Sequence, residues 1–355
     1  MLDPETFREL VSGQSKGVRA TFLRILLRLA ECVYRVGVHW RNFRYDTKPN
    51  LIHRVDVPVV SVGNLTLGGT GKTPLVLWLA HWFRQHAIRV TLISRGYGAE
   101  AGAQNDEALE LEQRLPDVPH LQNANRLEAA RVAISEFECQ LLLLDDAFQH
   151  RRLHRDLEVV VIDALEPFGF GHVFPRGMLR EPLSSLKRAQ IICLSRANLV
   201  SANQRQSLKD RIQEFNHKAV WVEIAHQPEQ LINTAGEKWP VSSISRKRIA
   251  AFCGIGNPEA FHRTLLAANA EVVRFRAFPD HHRYDRSDVK SLQQWTTESP
   301  QVDAVLCTHK DLVKISLPQL GDLPLRALTI GVEILEGQEA MESKLLEILE
   351  RMTSN

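Results

Sequence analysis

Val59-Val60-Ser61-Val62-Gly63-Asn64-Leu65-Thr66-Leu67-Gly68-Gly69-Thr70-Gly71-Lys72-Thr73-Pro74 is a short apolar run that passes through a glycine-rich turn into a helical pattern. Glycines at 68, 69 and 71 free successive backbone N–H groups to point into one concavity, and the helix that follows adds the positive end of its dipole. That is the chemistry of a phosphate cradle. Lys72 is placed to reach the outer phosphates of a nucleotide and Thr73 to hold a magnesium ion through its hydroxyl. The expected nucleotide contacts are Thr66, Gly68, Gly69, Thr70, Gly71, Lys72 and Thr73. The stretch departs from G-x-x-x-x-G-K-[ST] at Thr66, where that pattern has glycine. Pro74 suits the first turn of a helix, where its missing N–H is not needed.

Further apolar runs follow the cradle. Arg89 to Ser94 reads as a buried strand leading into Arg95-Gly96-Tyr97-Gly98, and Leu141-Leu142-Leu143-Leu144 is closed by Asp145-Asp146. A carboxylate at the end of a strand beside the cradle can orient magnesium directly or through water. Val159 to Asp163 and Gln190 to Leu194 complete an alternation of strand and helix patterns, which calls for a parallel sheet covered on both faces. Two extended pieces then flank Gln227-Pro228, and a second α/β unit begins at Ile249 to Pro258. That unit continues through Glu271 to Phe278, the polar stretch Pro279-Asp280-His281-His282-Arg283-Tyr284, a helix from about Ser287 and a strand from Ala304 to Thr308. Thr308-His309-Lys310-Asp311 is similar to the NKxD base-reading box of GTPases, but its lysine and aspartate are adjacent, so guanine specificity does not follow.

The chain has 355 residues, 44% of them hydrophobic, enough for a good core and more in keeping with two domains than one. A net charge of +2 gives no argument for nucleic acid as a partner. Cysteines at 32, 139, 193, 253 and 307 are scattered and form no CxxC pair, which speaks against a disulfide framework or zinc site and for a reducing cytoplasm. Thr21 to Val38 is apolar but is interrupted by Arg24, Arg28, Glu31 and Arg35, too often for a spanning helix. Those residues share one helical stripe, with Lys16, Arg19, Arg41 and Arg44 adding to its basic side. The helix either packs on its own domain with a solvated arginine face, or lies in a membrane interface with arginines on anionic headgroups.

The stretch 61–74, Ser94-Arg95-Gly96-Tyr97-Gly98, Leu144-Asp145-Asp146-Ala147-Phe148-Gln149-His150, Leu179-Arg180-Glu181-Pro182-Leu183 and Phe278-Pro279-Asp280-His281-His282, in this order, closely resemble the tetraacyldisaccharide 4'-kinase family of lipid A biosynthesis. The resemblance implies a P-loop NTPase-like α/β/α sandwich with a second, smaller α/β/α domain joined by a two-stranded linker. It also implies phosphorylation of the 4'-hydroxyl of an acylated glucosamine disaccharide 1-phosphate, with ATP and Mg2+. The site would be peripheral, at the cytoplasmic face of the bacterial inner membrane, and the enzyme a monomer.

Carried onto this chain, the family's phosphate and magnesium ligands fall on Lys72 and Thr73, its acidic pair on Asp145 and Asp146, and a further magnesium-side acid on Glu181. Asp106 falls on the acid that accepts the hydroxyl proton, with His281 as its partner. The organisation expected is a basic amphipathic helix over 1–45, a nucleotide-binding domain over 46–218, the linker over 219–245, the second domain over 246–335 and a final helix over 336–355. The cradle alone also permits a P-loop NTPase for metallocentre assembly, or a nucleotide-dependent membrane-binding switch.

Overall fold

The computed structural model describes residues 4–96, 106–280, 282–298 and 301–353, and the side chains of these except residues 4, 5, 106 and 107. In chain order the elements are α1 (Pro4–Ser12), α2 (Val18–Thr47), β1 (Val59–Asn64), α3 (Lys72–Gln85), β2 (Val90–Ser94), α4 (Asp106–Arg114), β3 (His120–Gln122), α5 (Arg126–Phe137), β4 (Leu141–Asp145), β5 (Leu157–Asp163), β6 (Ile191–Ser195) and α6 (Ala202–Gln213). There follow β7 (Val220–Ile232), β8 (Lys238–Pro240), β9 (Arg248–Cys253), α7 (Pro258–Ala267), β10 (Glu271–Ala277), α8 (Arg286–Thr297), β11 (Ala304–Thr308), α9 (His309–Ile315), β12 (Gln319–Leu320), β13 (Leu323–Glu336) and α10 (Gln338–Thr353). Contacts group the chain into two units. The first comprises 1–95, 118–226 and 332–355; the second comprises 96–117 and 227–331.

The first unit carries a parallel sheet in the order β7-β6-β5-β1-β4-β2-β3. Strands covered on both faces read as nearly continuous apolar runs rather than alternating ones, and β1, β2, β4, β5 and β6 are buried at every residue. Register pairs Val62 with Asp145, so the acid that closes β4 lies beside the strand that feeds the glycine turn. Gly63 allows this: a Cβ there would stand 2.6 Å from Phe148, in the turn after β4.

α2 belongs to this unit and packs on it through part of its polar stripe, while Arg19, Arg28, Arg35 and Arg44 stay exposed. Arg24 donates to the Ser15 carbonyl at 2.9 Å, Glu31 is buried and accepts from the Val173 backbone N–H at 3.0 Å, and Arg41 pairs with buried Glu181. The inward side is thus built from Ala20, Glu31 and Val38, with Arg24 and Arg41 partly covered beside them. Phe22, Ile25, Leu29, Val33, Val36, Trp40 and Phe43 recur at helical spacing on the other side, and each is more than half exposed. Periodicity separates two faces of a helix but does not say which one is inside; here Glu31 and Arg41 find ionic partners on the inward side, next to Ala20 and Val38.

In the second unit, β10, β9, β11 and β13 run parallel in that order, with β12 antiparallel on β13. Its core combines Phe252, Phe278, Leu292 and Leu312 on one side of the sheet with Ile249, Phe261, Leu265 and Leu306 on the other. The break expected at Gln227-Pro228 does not occur, because β7 continues through it to Ile232. Proline is tolerated in a strand wherever no ladder hydrogen bond needs its N–H. α4 lies between β2 and β3 in sequence, yet it packs on α9 of this unit.

Candidate active site

The turn between β1 and α3 is braced from several directions. Gly71 adopts a left-handed φ of 76° as the N-cap of α3. Asn64 donates its amide N–H to the Thr70 hydroxyl at 3.1 Å, and both residues are buried. Ser195, at the end of β6, donates to the Thr70 carbonyl at 2.7 Å, and Arg196 donates to the Gly69 carbonyl at 3.3 Å while pairing with Asp163. Thr66 sits in a bridge to Leu179, flanked by hydrogen bonds from Leu67 N–H to Met178 (2.7 Å) and from Arg180 N–H to Leu65 (2.6 Å). A residue with a Cβ at this bridge is compatible with the lead-in; the glycine-demanding positions lie further along, where φ is 101° at Gly68 and 76° at Gly71. His226 presses its ring against Gly71, where any Cβ would collide with it.

Two expected site residues meet directly. The Lys72 ammonium is 3.2 Å from Asp146 Oδ1, and Arg180 Nη1 reaches both oxygens of that carboxylate, at 3.0 and 2.9 Å. Burial would raise the Asp146 pKa, but the two cations outweigh it and hold the carboxyl at about 2. Asp145 is buried at the strand end. Arg126, also buried, lies close enough to both acids for their charges to act on it, and burial lowers its pKa. His150 follows the acidic turn; burial, then Arg126, Arg155, Arg152 and Arg95, press its pKa down to about 4. His226 is likewise held at about 4, by burial and then by Arg196.

Glu181 is bound into a buried ionic cluster. Its side chain is completely buried, paired with Arg41 of α2 on one oxygen and with Arg188 at 2.8 Å on the other, to which Asn42 also donates at 3.3 Å. A carboxylate so engaged ties α2 to the rest of its unit.

The side chain of Asp106, at the start of α4, and all of His281 lie outside the described residues. The neighbouring His282 is described, with Nε2 2.9 Å from an Asp288 carboxylate oxygen and its ring stacked on Phe278 at 4.7 Å. Sequence reasoning assigned no role to Arg180, Arg126, Ser195, Arg196 or His226. Arg180 alone carried a signal, since it adjoins Glu181 in the same short motif; the others come together only through the fold.

Several known proteins resemble this chain over most of its length. The family model described as Tetraacyldisaccharide-1-P 4'-kinase matches residues 23–350. A tetraacyldisaccharide 4'-kinase of Anaeromyxobacter dehalogenans (strain 2CP-C) is 38% identical over 338 residues, covering 90% of this chain and 89% of that protein. One of Halothermothrix orenii is 33% identical over 356 residues, covering 92% of each. A solved structure described as the "apo" form of LpxK from Aquifex aeolicus in complex with ATP superimposes with a TM-score of 0.75 at 27% identity, covering 92% of this chain and 99% of that one.

Proposed function

The chain belongs to the tetraacyldisaccharide 4'-kinase family, and from that premise we propose how its residues share the reaction. As a member it is a kinase of lipid A biosynthesis that transfers a phosphoryl group from ATP to the 4'-hydroxyl of tetraacyldisaccharide 1-phosphate. The observation that carries the reading is the contact of Lys72 with Asp146 at the glycine turn, with Arg180 on the same carboxylate.

Phosphoryl transfer asks the protein for in-line positioning, charge neutralisation and exclusion of water. The loop amides from Gly68 to Gly71 and the Lys72 ammonium bind the phosphates, with Ser195 and Arg196 holding the loop carbonyls so that the amides stay aimed. Thr73 and Asp145 are hard oxygen donors beside the cradle and suit magnesium, which when bound neutralises phosphate charge. Asp146 serves better as the anchor that aims Lys72 and Arg180, and Glu181 as the anchor of α2, than as magnesium ligands. Asp106 accepts the proton of the sugar hydroxyl as transfer proceeds, since that hydroxyl is far too weak an acid to ionise beforehand. His281 orients Asp106 or shares its proton; His282 is already committed to Asp288.

The outward apolar face of α2 supports peripheral binding to the cytoplasmic face of the inner membrane, where a monomer would meet its acylated substrate. No described helix is long and apolar enough to cross a membrane. Incubation with γ-labelled ATP, Mg2+ and the acylated disaccharide 1-phosphate, followed by lipid chromatography, tests the reading. Label in a bisphosphorylated lipid is the expected result, and ATP hydrolysis independent of lipid would point instead to an NTPase.

A further inference from the structure

The turn Thr308-His309-Lys310-Asp311 has no part in the account above, yet it holds two elements to which proton transfer is assigned. All of its contacts described below lie within the second unit. Asp311 is completely buried, and its carboxylate gathers three segments: Oδ1 accepts from the Gly254 backbone N–H at 3.1 Å and from the Tyr284 hydroxyl at 2.9 Å, while Oδ2 accepts from the Thr308 hydroxyl at 2.6 Å. These donors sit in the turn after β9, in the loop that follows Phe278, and at the N-cap of α9. Tyr284 is packed edge-on to Phe252, Phe278 and His282, with centroids at 5.8, 5.1 and 4.9 Å. Burial, and then Asp311, raise the Tyr284 pKa, so the hydroxyl remains a donor. Gly254 lets the parts close up: a Cβ there would stand 3.1 to 3.2 Å from Asp311, His282 and Tyr284.

The residue two places earlier grips the other element. His309, only 2% exposed, has Nε2 2.9 Å from Gln113 Oε1 and Nδ1 3.7 Å from Glu110 Oε1. Gln113 and Glu110 both belong to α4, the helix that opens at Asp106. Burial would raise the Glu110 pKa, but His309, Lys310 and Arg114 outweigh it and keep the group anionic. Arg114, at the end of α4, pairs with Glu229 and donates to the Ile330 carbonyl at 2.7 Å, fixing the helix at its far end.

We propose that this turn is a bracket that registers α4 against the loop Phe278 to Asp285, with His309 and Asp311 acting as positioning residues for the base Asp106 and its partner His281. The proposal rests on that assignment of Asp106 and His281. A base on one element and its partner on another must be held to a fraction of an ångström, since a misplacement of about 1 Å can cost roughly 100-fold in rate. Buried, charge-assisted hydrogen bonds are the means a fold has of holding them.

The test uses the full chain, with substrate in detergent micelles and labelled ATP. Single-turnover rate, KM for ATP and Tm are measured for Tyr284→Phe, His309→Ala and Asp311→Asn, each alone and combined with Asp106→Ala, beside Asp106→Ala and His281→Ala themselves. Each bracket variant is expected to lower the rate about tenfold or more while KM for ATP changes less than about twofold, and to add nothing once Asp106 is gone. His309→Gln, which keeps a donor, should recover part of the loss. Full rates in the bracket variants, with Asp106→Ala and His281→Ala inactive, would overturn the bracket and leave the roles of Asp106 and His281 standing. Rate losses that multiply with that of Asp106→Ala would overturn it too, because they would not act through the base. Active Asp106→Ala and His281→Ala enzymes would remove the proton-transfer roles of Asp106 and His281, and the bracket with them. Tyr284→Phe deletes one hydroxyl, so the question can be answered even if Asp311→Asn fails to fold.

Discussion

The Lys72 ammonium lies 3.2 Å from Asp146 Oδ1, and the same carboxylate takes Arg180 at 2.9 Å. One anion thus aims two cations at the end of the glycine turn, and the turn after β4 supplies it with a left-handed backbone, φ 48°, at Asp146. Lys72→Ala should lower turnover by about 100-fold or more, because the charge it brings to the phosphates is preorganised. Asp146→Asn should lower it less, through misaimed cations. Steady-state kinetics on both variants checks the order; equal rates for Lys72→Ala and the unmodified enzyme would remove the lysine from the reaction.

Gly71 and His226 form a second coupled pair. Gly71→Ala drives a methyl group into the imidazole and also strains a backbone held at φ 76°. ATP affinity should collapse. Adding His226→Ala relieves the collision but not the backbone strain of about 1–2 kcal/mol, so the double variant should regain part of the binding. Calorimetric titration with ATP reads this directly, and a double variant no better than Gly71→Ala would show that the ring is not what excludes a side chain.

Acid should weaken the fold before its carboxylates titrate. His150 and His226 are held neutral to about pH 4, whereas the unfolded chain protonates them near 6.5. The unfolded state therefore binds more protons between these values. The stability these groups contribute is full above pH 6.5 and is lost as pH falls towards 4. Urea unfolding across that window measures the slope, and His226→Gln should remove roughly half of the decline attributed to the two histidines. A flat profile would contradict the burial of both rings.

The outward face of α2 gives a prediction about membranes. Replacing Phe22, Leu29, Val33, Val36 and Trp40 with serine deletes exposed apolar surface and no core contact, so Tm should hold. Binding to vesicles containing anionic phospholipid should fall by more than about 100-fold, since each large apolar side chain is worth about 1.5–3 kcal/mol when buried. Sedimentation with vesicles reads the result, and undiminished binding would place the membrane contact elsewhere.

Much of the first unit was legible in the sequence because parallel strands buried on both faces leave continuous apolar runs, as Leu141 to Leu144 and Val159 to Ile162 do. The glycine turn was legible because its backbone conformations exclude most side chains. Contacts that depend on tertiary closure were not. Arg180 joins Asp146 from 34 residues away, Ser195 reaches Thr70 across 125, and no local pattern encodes either. The grouping of α4 with the second unit is hidden for the same reason, since His309 and Gln113 are 196 residues apart. The arginine stripe of α2 shows a subtler limit: charged residues are ordinarily solvated, as Arg28 and Arg35 are, and only partners such as Glu181 and the carbonyl of Ser15 draw Arg41 and Arg24 towards the protein.

The account as a whole is tested most directly by comparing Asp106→Ala and His281→Ala with the unmodified enzyme in two assays on the same preparations, ATP dissociation constant and rate of labelled-phosphate transfer to the acylated disaccharide 1-phosphate. The prediction is a fall in transfer rate of about 100-fold or more, with ATP affinity changed less than about threefold. Weakened ATP binding with an unchanged transfer rate would contradict it.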